Sequence, residues 1–351
     1  MNLPKVTLRQ RIGLALLVFG VLALALVVEG GRQIITDVTG AISTSYLASA
    51  LRLTVPIAFA GMGGIFAEKT GVINIGLEGL LIIAAFSAIA GVWVLAGTPI
   101  GASLWGAFLL AVLISGFVAW LFAVVCIRYK ADQIIAGLAV WLIALGVAPF
   151  GSIIIWNRTN SPGVGSFSAI SIPVLSDLPG IGPVFVATPP VILLVIAIPF
   201  SWYLLNRTTF GMWIEASGED PKSLDTAGVD VQRVRYAGVI ISGLYCGIGG
   251  AGFALNTGQF VGSGDTMIDG RGWIGLTTYL IGNYNPIGAA AASFLFAGLD
   301  ALQIQLQQIA GYDLSPTLIG ILPYIAVLVV LTFVGRTRLP SAAGQHYESD
   351  E

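Results

Sequence analysis

Three features of the sequence indicate an all-α polytopic membrane protein with about ten transmembrane helices. Hydrophobic residues make up 56% of the 351 residues and charged residues only 10%, whereas soluble domains carry about 25% charged residues. Apolar runs recur along the chain, many of them near the ~20 residues that a helix needs to cross a bilayer. Basic residues cluster in alternate connections between these runs, as the positive-inside rule requires. We therefore expect a multi-pass protein of the cell membrane.

The apolar runs define the predicted spans in order. The first follows a basic N-terminus and resembles a signal peptide, but its Ala23-Leu24-Ala25 signature lies inside the apolar run, so we interpret it as an uncleaved span. The eighth is short for a full crossing. The predicted spans are 12–28, 46–66, 72–96, 101–127, 131–155, 187–205, 236–255, 272–281, 288–309 and 316–334.

The distribution of Lys and Arg predicts that both termini are cytoplasmic. With the N-terminus inside, only Arg32, Arg158 and Arg271 fall outside, and Arg52 falls within a span. The other twelve of the 16 basic residues lie on the cytoplasmic side: Lys5, Arg9, Arg11, Lys69, Arg128, Lys130, Arg207, Lys222, Arg233, Arg235, Arg336 and Arg338.

This topology divides the chain into three parts. Residues 1–45 form an N-terminal segment with the first transmembrane helix, and residues 46–334 form a transmembrane domain that includes an external loop at 156–186. Residues 335–351 form a cytoplasmic tail, whose acidic end at 347–351 we expect to be disordered.

A long cytoplasmic loop, residues 206–235, contains a short capped helix. Asp220 is a favourable N-cap, Pro221 fits the first helical position, and Gly228 can adopt the left-handed conformation beyond the last turn. We therefore predict a helix from Pro221 to about Ala227. An isolated helix of this length is unstable in water. Two interpretations stay open: a solvated connector between spans, or an element that docks against a partner.

The chain lacks the residues that most enzyme sites require. Its only histidine is His346, and Cys126 and Cys246 both lie in apolar runs, as expected of small core residues. No lysine follows a glycine, as the P-loop motif for ATP demands. We therefore expect no enzymatic reaction and no cofactor in this chain. The absence of a basic face also argues against a nucleic-acid partner.

Four polar residues in the predicted spans are candidates for a substrate pathway, because such groups are costly in a membrane and usually functional. Arg52 and Asp300 lie at similar depths from the outer side, and we hypothesise that they pair or share a polar cavity. Asn74 and Glu78 are four residues apart, so on a helix they would share a face and point into one cavity. The alternatives are snorkelling or helix register for the first pair and helix-to-helix hydrogen bonds for the second.

A short internal similarity predicts an inverted repeat. The sequence GMGG at 61–64, followed by Thr-Gly at 70–71, resembles GIGG at 247–250, followed by Thr-Gly at 257–258. The two copies lie in spans that run in opposite directions, as an inverted-topology repeat requires. Close helix packing alone would also favour such glycine clusters, and it is the alternative.

Three stretches of the chain resemble one family of transport proteins. They are FAEKTGVINIGLEG at 66–79, IPVLSDLPGIGP at 172–183, and the segment 211–229, which contains EASGEDP and DTAGV. In these stretches the chain is similar to permease subunits of ATP-binding-cassette (ABC) importers related to branched-chain amino acid and ribose permeases. Within them it looks most like the branch for nucleosides and simple sugars. The chain departs from the family pattern at Glu215 and Ser217.

The resemblance implies a division of labour among several chains. A separate cytoplasmic ABC ATPase would hydrolyse ATP, a second permease, favoured as a paralogue over a second copy, would complete the pathway, and an extracellular binding lipoprotein would deliver the substrate. Nucleosides rank ahead of simple sugars as the implied substrate, and amino acids follow. The competing hypothesis is an ion-gradient-driven secondary transporter of small polar solutes. The ATPase would dock on the coupling segment at Gly218, Glu219, Asp220, Pro221, Ala227 and Gly228.

Overall fold

The computed structural model describes residues 44–96, 98, 104–171, 176, 186–308 and 338–348. The predicted first and last spans, 12–28 and 316–334, lie outside the described residues, as does nearly all of the family motif at 172–183.

Ten helices and one small hairpin make up the described part of the chain. Strands β1 (Ile170–Ser171) and β2 (Val186–Ala187) pair antiparallel. The helices are α1 (Thr44–Lys69), α2 (Leu77–Val94), α3 (Leu104–Ala123, continued by a π-helical turn over Val124–Arg128), α4 (Gln133–Trp156), α5 (Pro189–Arg207), α6 (Thr209–Glu219), α7 (Pro221–Thr226), α8 (Val231–Thr257), α9 (Arg271–Ile281) and α10 (Pro286–Gln308).

The described residues confirm a mostly helical protein built for a membrane. Seven helices, α1 to α5, α8 and α10, are long and apolar enough to cross a bilayer, and each matches a predicted span. The eighth predicted span is α9, whose 11 residues extend about 16 Å at 1.5 Å per residue. That is about half of the ~30 Å hydrocarbon thickness, so α9 is a half-helix. The total of about ten crossings and the cytoplasmic position of both termini stay predictions.

Local chemistry determines where the long helices begin and end. Asp132 caps α4 and Asp230 caps α8, each by accepting hydrogen bonds from backbone N–H groups of the first turn. At their other ends, Asn157 and Gly258 adopt left-handed conformations with φ of 56° and 76°, which terminate a helix because they turn the chain out of the ladder.

Helices α1 and α8 pack together at the centre of the bundle. A Cβ atom on Gly63 would lie 2.8 Å from the carbonyl oxygen of Ser242, and one on Gly249 would lie 3.0 Å from Cβ of Phe59. Glycine therefore permits the close approach of the two helices that carry the sequence similarity. Whether the two halves form an inverted repeat stays a prediction.

Burial separates central helices from peripheral ones. In the most apolar window of α1, 83% of the residues are buried, against 17% in α4. The exposed side chains of α4 are large and apolar, among them Leu142, Phe150 and Ile154. In a membrane protein such a face contacts lipid or another subunit.

The described part of the loop predicted to be external, 156–186, is packed against the end of α8. The backbone N–H of Ser161 donates to the carbonyl of Phe260 (2.8 Å), and that of Val164 donates to Gly258 (2.9 Å). The N–H of Phe260 donates in return to the Ser161 hydroxyl at 2.8 Å. These bonds join the loop after α4 to the loop after α8 at this end of the bundle.

The expectation of a disordered tail is wrong for its first two acidic-end residues. The Tyr347 hydroxyl donates to the Asp225 carboxylate at 2.8 Å, and Glu348 forms an ion pair with Lys130. The tail is ordered here because these residues have partners in α7 and in the segment before α4, which the local composition does not reveal.

Candidate functional site

The short helix predicted in the cytoplasmic loop is confirmed as α7. It runs over Pro221–Thr226 with Ala227 as its C-cap. The Asp220 carboxylate accepts a hydrogen bond from the N–H of Ser223 at 3.3 Å, and Gly228 lies in the left-handed region with φ of 79°. The start and end signals in the sequence therefore act as expected.

Helix α7 has one buried contact and a polar exposed face. Leu224 is 4% exposed and anchors the helix to the core. Lys222, Ser223 and Thr226 lie on the exposed side. A two-turn helix gains little stability from its own bonds, so α7 depends on its contacts with other parts of the chain, and this polar face is exposed on the surface.

The preceding helix, α6, is fixed to the end of α1 by close backbone contact. A Cβ atom on Gly218 would lie 2.3 Å from the carbonyl oxygen of Lys69, so only glycine fits there. The Ser217 hydroxyl donates to the carbonyl of Thr70 at 2.9 Å. The ion pair between Lys69 and Glu215 (3.6 Å) adds little, because the Glu215 side chain is 61% exposed. A displacement of α6 therefore acts directly on α1.

Glu78 caps the half-helix α9. Its Oε1 accepts a hydrogen bond from the N–H of Gly270 at 2.9 Å, and its Oε2 accepts one from the N–H of Gly272 at 2.6 Å. Glu78 is 2% exposed. A carboxylate is well placed at a helix N-terminus, where unpaired N–H groups and the helix dipole create positive potential. Carboxylate and half-helix thus stabilise each other inside the bundle.

Asn74 and Glu78 do not share a helix face, so that prediction is wrong. Helix α2 begins only at Leu77, and Asn74 lies in the irregular segment before it. The Asn74 amide donates to the Ser242 hydroxyl at 3.0 Å, and its oxygen accepts from the N–H of Gly76 at 3.1 Å. Because the Asn74 side chain bonds to its own turn, the helix starts one turn later than the apolar pattern indicates.

The hypothesised pairing of Arg52 with Asp300 is also wrong. Asp300 pairs with Arg271, with 2.7 Å between Oδ2 and Nη2. The Arg271 guanidinium carbon also lies 5.0 Å from the centroid of the Phe253 ring, within the range of a cation–π contact. Arg52 donates to the carbonyl of Ala48 in its own helix at 3.2 Å.

Arg52 lies instead at a cavity near the hairpin. This cavity, of about 420 Å³, is lined mainly by apolar side chains of α1, the hairpin and the start of α5, and Arg52 is its only charged lining residue among those described. Its lining residues include Leu51, Thr188 and Val191.

Glu68 was missed by the sequence reasoning. It lies at the end of α1, is 6% exposed, and accepts hydrogen bonds from the hydroxyls of Tyr279 (2.5 Å) and Tyr284 (2.6 Å). Burial raises the pKa of Tyr284, and the neighbouring carboxylate raises it further, so the hydroxyl stays protonated as the donor. The sequence carries little signal for it: Glu68 lies two residues beyond the predicted span 46–66, next to Lys69, and only the longer observed helix includes it.

These contacts describe a half-helix held from two sides. Glu78 of α2 holds the N-terminus of α9, and Glu68 of α1 holds Tyr279 near its C-terminus and Tyr284 in the following turn. Within the described residues no group of three His, Cys, Asp or Glu side chains could hold a metal ion.

Comparison with known proteins gives a consistent family. The model for the branched-chain amino acid transport system / permease component matches residues 46–331. The nucleoside ABC transporter permease protein NupC of Lactococcus lactis is 33% identical, over 86% of this chain and 96% of its own length. The guanosine ABC transporter permease protein NupQ of Bacillus subtilis is 34% identical over 83% and 92%, respectively.

A sugar permease also matches over nearly its full length. The putative glucose ABC transporter permease protein TsgC13 of Haloferax volcanii is 31% identical, over 87% of this chain and 99% of its own. No solved structure matches. Together with the seven apolar helices, the family match over residues 46–331 shows that this chain is a multi-pass membrane protein that belongs to the permease components of the branched-chain amino acid transport system family.

Proposed function

We propose that this chain is the membrane-spanning permease subunit of an ATP-driven importer of nucleosides. The relatives named for nucleosides and for guanosine support this substrate class. Simple sugars are the next candidate, since a relative named for glucose is only slightly less similar. In this proposal ATP hydrolysis takes place in a separate cytoplasmic ATPase, a paralogous permease completes the pathway, and an extracellular binding lipoprotein delivers the substrate.

The observation that carries this proposal is the α6–α7 unit. It offers the exposed polar face of Lys222, Ser223 and Thr226 while its buried side is fixed to the end of α1 through Gly218. An element that is exposed on one side and rigidly attached on the other can transmit a conformational change of a docked ATPase into the bundle. A solvated connector would need neither the attachment nor the caps.

The polar residues of the pathway receive distinct proposed roles. Asn74 and Glu78 act by positioning, because each is held in hydrogen bonds to other parts of the bundle. Asp300 positions Arg271 at the N-terminus of α9. Arg52 lies at the cavity beside the hairpin, where an arriving solute or the binding lipoprotein would meet it.

A transport assay with a surface variant tests the proposal. The chain is expressed with its neighbouring transport genes, and uptake of labelled adenosine, uridine, ribose and leucine is measured with and without an ionophore. The test variant, Lys222→Glu with Thr226→Glu, alters the exposed face of α7 without touching its buried leucine. The control is Ser263→Glu, an exposed position on the packed loops at the other end.

We expect nucleoside uptake that survives the ionophore. The α7 variant should lose both uptake and co-purification with the ATPase, whereas the control keeps co-purification. Uptake that collapses with the ionophore and tolerates the α7 variant would instead establish a secondary transporter. Preferred uptake of ribose would move the substrate class to simple sugars.

A further inference from the structure

The C-terminal strap, residues 338–348, crosses the cytoplasmic ends of several helices. Two of its backbone N–H groups donate to backbone carbonyls of the bundle: Ala342 donates to Gly218 (2.7 Å), and Gly344 donates to Gly71 (2.9 Å). Gly218 belongs to α6 and Gly71 follows α1. The strap therefore lies between α1 and the α6–α7 unit, residues 209–226, which is called the coupling unit below.

Side chains of the strap add one bond just before α7 and one within it. The Ser341 hydroxyl donates to the Glu219 carboxylate at 2.8 Å, and the Tyr347 hydroxyl donates to the Asp225 carboxylate at 2.8 Å. Glu219 precedes α7 and Asp225 lies within it. The strap thus contacts the coupling unit at its backbone and at two of its carboxylates.

A buried cation depends on the same segment. Arg235 of α8 is 3% exposed, and its Nη1 donates to the carbonyl of Gln345 at 2.7 Å. Its Nε and Nη2 have no hydrogen-bond partner among the described residues. A buried guanidinium is costly unless it is hydrogen-bonded, so the strap carbonyl holds α8 and the strap together. The ion pair of Lys130 with Glu348 contributes less, because both side chains are well exposed.

The other end of the strap reaches the half-helix. The N–H of Arg338 donates to the side-chain oxygen of Asn283 at 3.0 Å. Asn283 lies in the turn that follows α9, next to Tyr284, whose hydroxyl donates to Glu68. Eleven strap residues therefore connect α7 with the turn at the end of α9 by a route separate from α1.

We infer that the C-terminal strap is a coupling element, which carries displacement of the α6–α7 unit to the turn after α9. This inference rests on the proposed docking of an ATPase at α7. A tail that only covered the protein surface would need to contact just one element of the bundle. This strap is bonded both to the α6–α7 unit and to the turn that follows the half-helix.

The test uses the complete transporter, purified with its ATPase and reconstituted into lipid vesicles with the binding lipoprotein. The main variant, Ser341→Ala with Tyr347→Phe, removes the two hydroxyls that bond to the coupling unit and leaves every backbone bond. Ser341→Thr keeps its hydroxyl and serves as the conservative variant. His346→Ala changes an exposed strap residue and is the matched control. A chain that ends at residue 337 removes the whole strap.

Three quantities are measured: co-purification of the ATPase, ATP hydrolysis with and without substrate-loaded lipoprotein, and uptake of labelled nucleoside. We expect the main variant to retain the ATPase and its basal hydrolysis. Its uptake should fall about tenfold, equivalent to about 1.4 kcal/mol, and hydrolysis should no longer respond to substrate. Ser341→Thr and His346→Ala should behave like the unmodified chain.

Two outcomes would overturn the inference. One is normal uptake in both the main variant and the shortened chain. The other is a parallel loss of ATPase binding and uptake in the main variant, which would make the strap a structural support only. The α7 variant Lys222→Glu with Thr226→Glu is run alongside. If it keeps the ATPase bound, the proposed docking fails, and that result is distinct from a failure of the strap variants.

Discussion

Replacing Glu78 by alanine should destabilise the half-helix α9 and with it the bundle. The substitution removes the acceptors of the N–H groups of Gly270 and Gly272, which lie 2.9 and 2.6 Å from the two carboxylate oxygens. Glu78 is 2% exposed, so water replaces it poorly. An unsatisfied buried donor costs ~1–3 kcal/mol, and two of them, one only partly buried, cost ~2–4 kcal/mol together. That is a large share of the ~5–15 kcal/mol by which native proteins are stable.

Thermal unfolding of the purified protein in detergent measures this loss. With ~2–4 °C per kcal/mol for larger domains, the midpoint for Glu78→Ala should fall by ~4–16 °C. Glu78→Gln keeps one side-chain oxygen and should lie between the alanine variant and the unmodified chain. Glu215→Ala is the control, because that carboxylate is 61% exposed and its ion pair is worth ~1 kcal/mol at most.

Hydrogen exchange locates the effect within the molecule. Loss of the cap should accelerate exchange at the amides of Gly270 and Gly272 before it affects the rest of the bundle. An unchanged midpoint for Glu78→Ala, or unchanged protection at these two amides, would refute the view that Glu78 holds the half-helix.

Two further perturbations follow from the contacts of α9, and a third substitution is their control. Asp300→Ala leaves the largely buried Arg271 without its anion and should cost ~3–5 kcal/mol; adding Arg271→Ala should restore part of that loss, and purely additive losses in unfolding midpoints would contradict the pair. Gly64→Ala would place a Cβ atom 2.3 Å from the Tyr279 ring, so expression and midpoint should both fall. An added Cβ at Gly146 would meet no atom within 4 Å among the described residues beyond its own helix, so Gly146→Ala should be neutral or stabilising by ~0.5–1 kcal/mol; an equal loss in both glycine variants would contradict this reasoning.

Helices with strong local signals could be predicted from the sequence. The seven long helices follow from apolar runs of about the length that a bilayer demands. Helix α7 follows from Asp220, Pro221 and Gly228, whose chemistry acts within one or two turns. In both cases the deciding interactions join residues near each other in the chain or join the chain to its solvent.

Partners that depend on tertiary packing could not be predicted in this way. Depth in the membrane placed Arg52 and Asp300 at one level, but it says nothing about which helices are neighbours, and Asp300 pairs with Arg271 instead. The start of α2 was misplaced because the side chain of Asn74 bonds to the turn before the helix. The contact of the strap with α6 was harder still to predict from the sequence. The acceptor at Gly218 is a backbone carbonyl, which every residue carries.

Two buried carboxylates of this bundle, Glu78 and Glu68, hold the two ends of a half-helix. An end of α9 inside the membrane region exposes N–H groups that lipid cannot satisfy, and Glu78 accepts hydrogen bonds there. Glu68 binds the other end through two tyrosine hydroxyls. Because the two carboxylates belong to α2 and α1, a displacement of α1 relative to α2 should strain one set of bonds whichever helix α9 follows. Ser217 bonds to Thr70, which lies two residues after Glu68. A displacement of the coupling unit would therefore act on the hydrogen bonds of Glu68 over a short path.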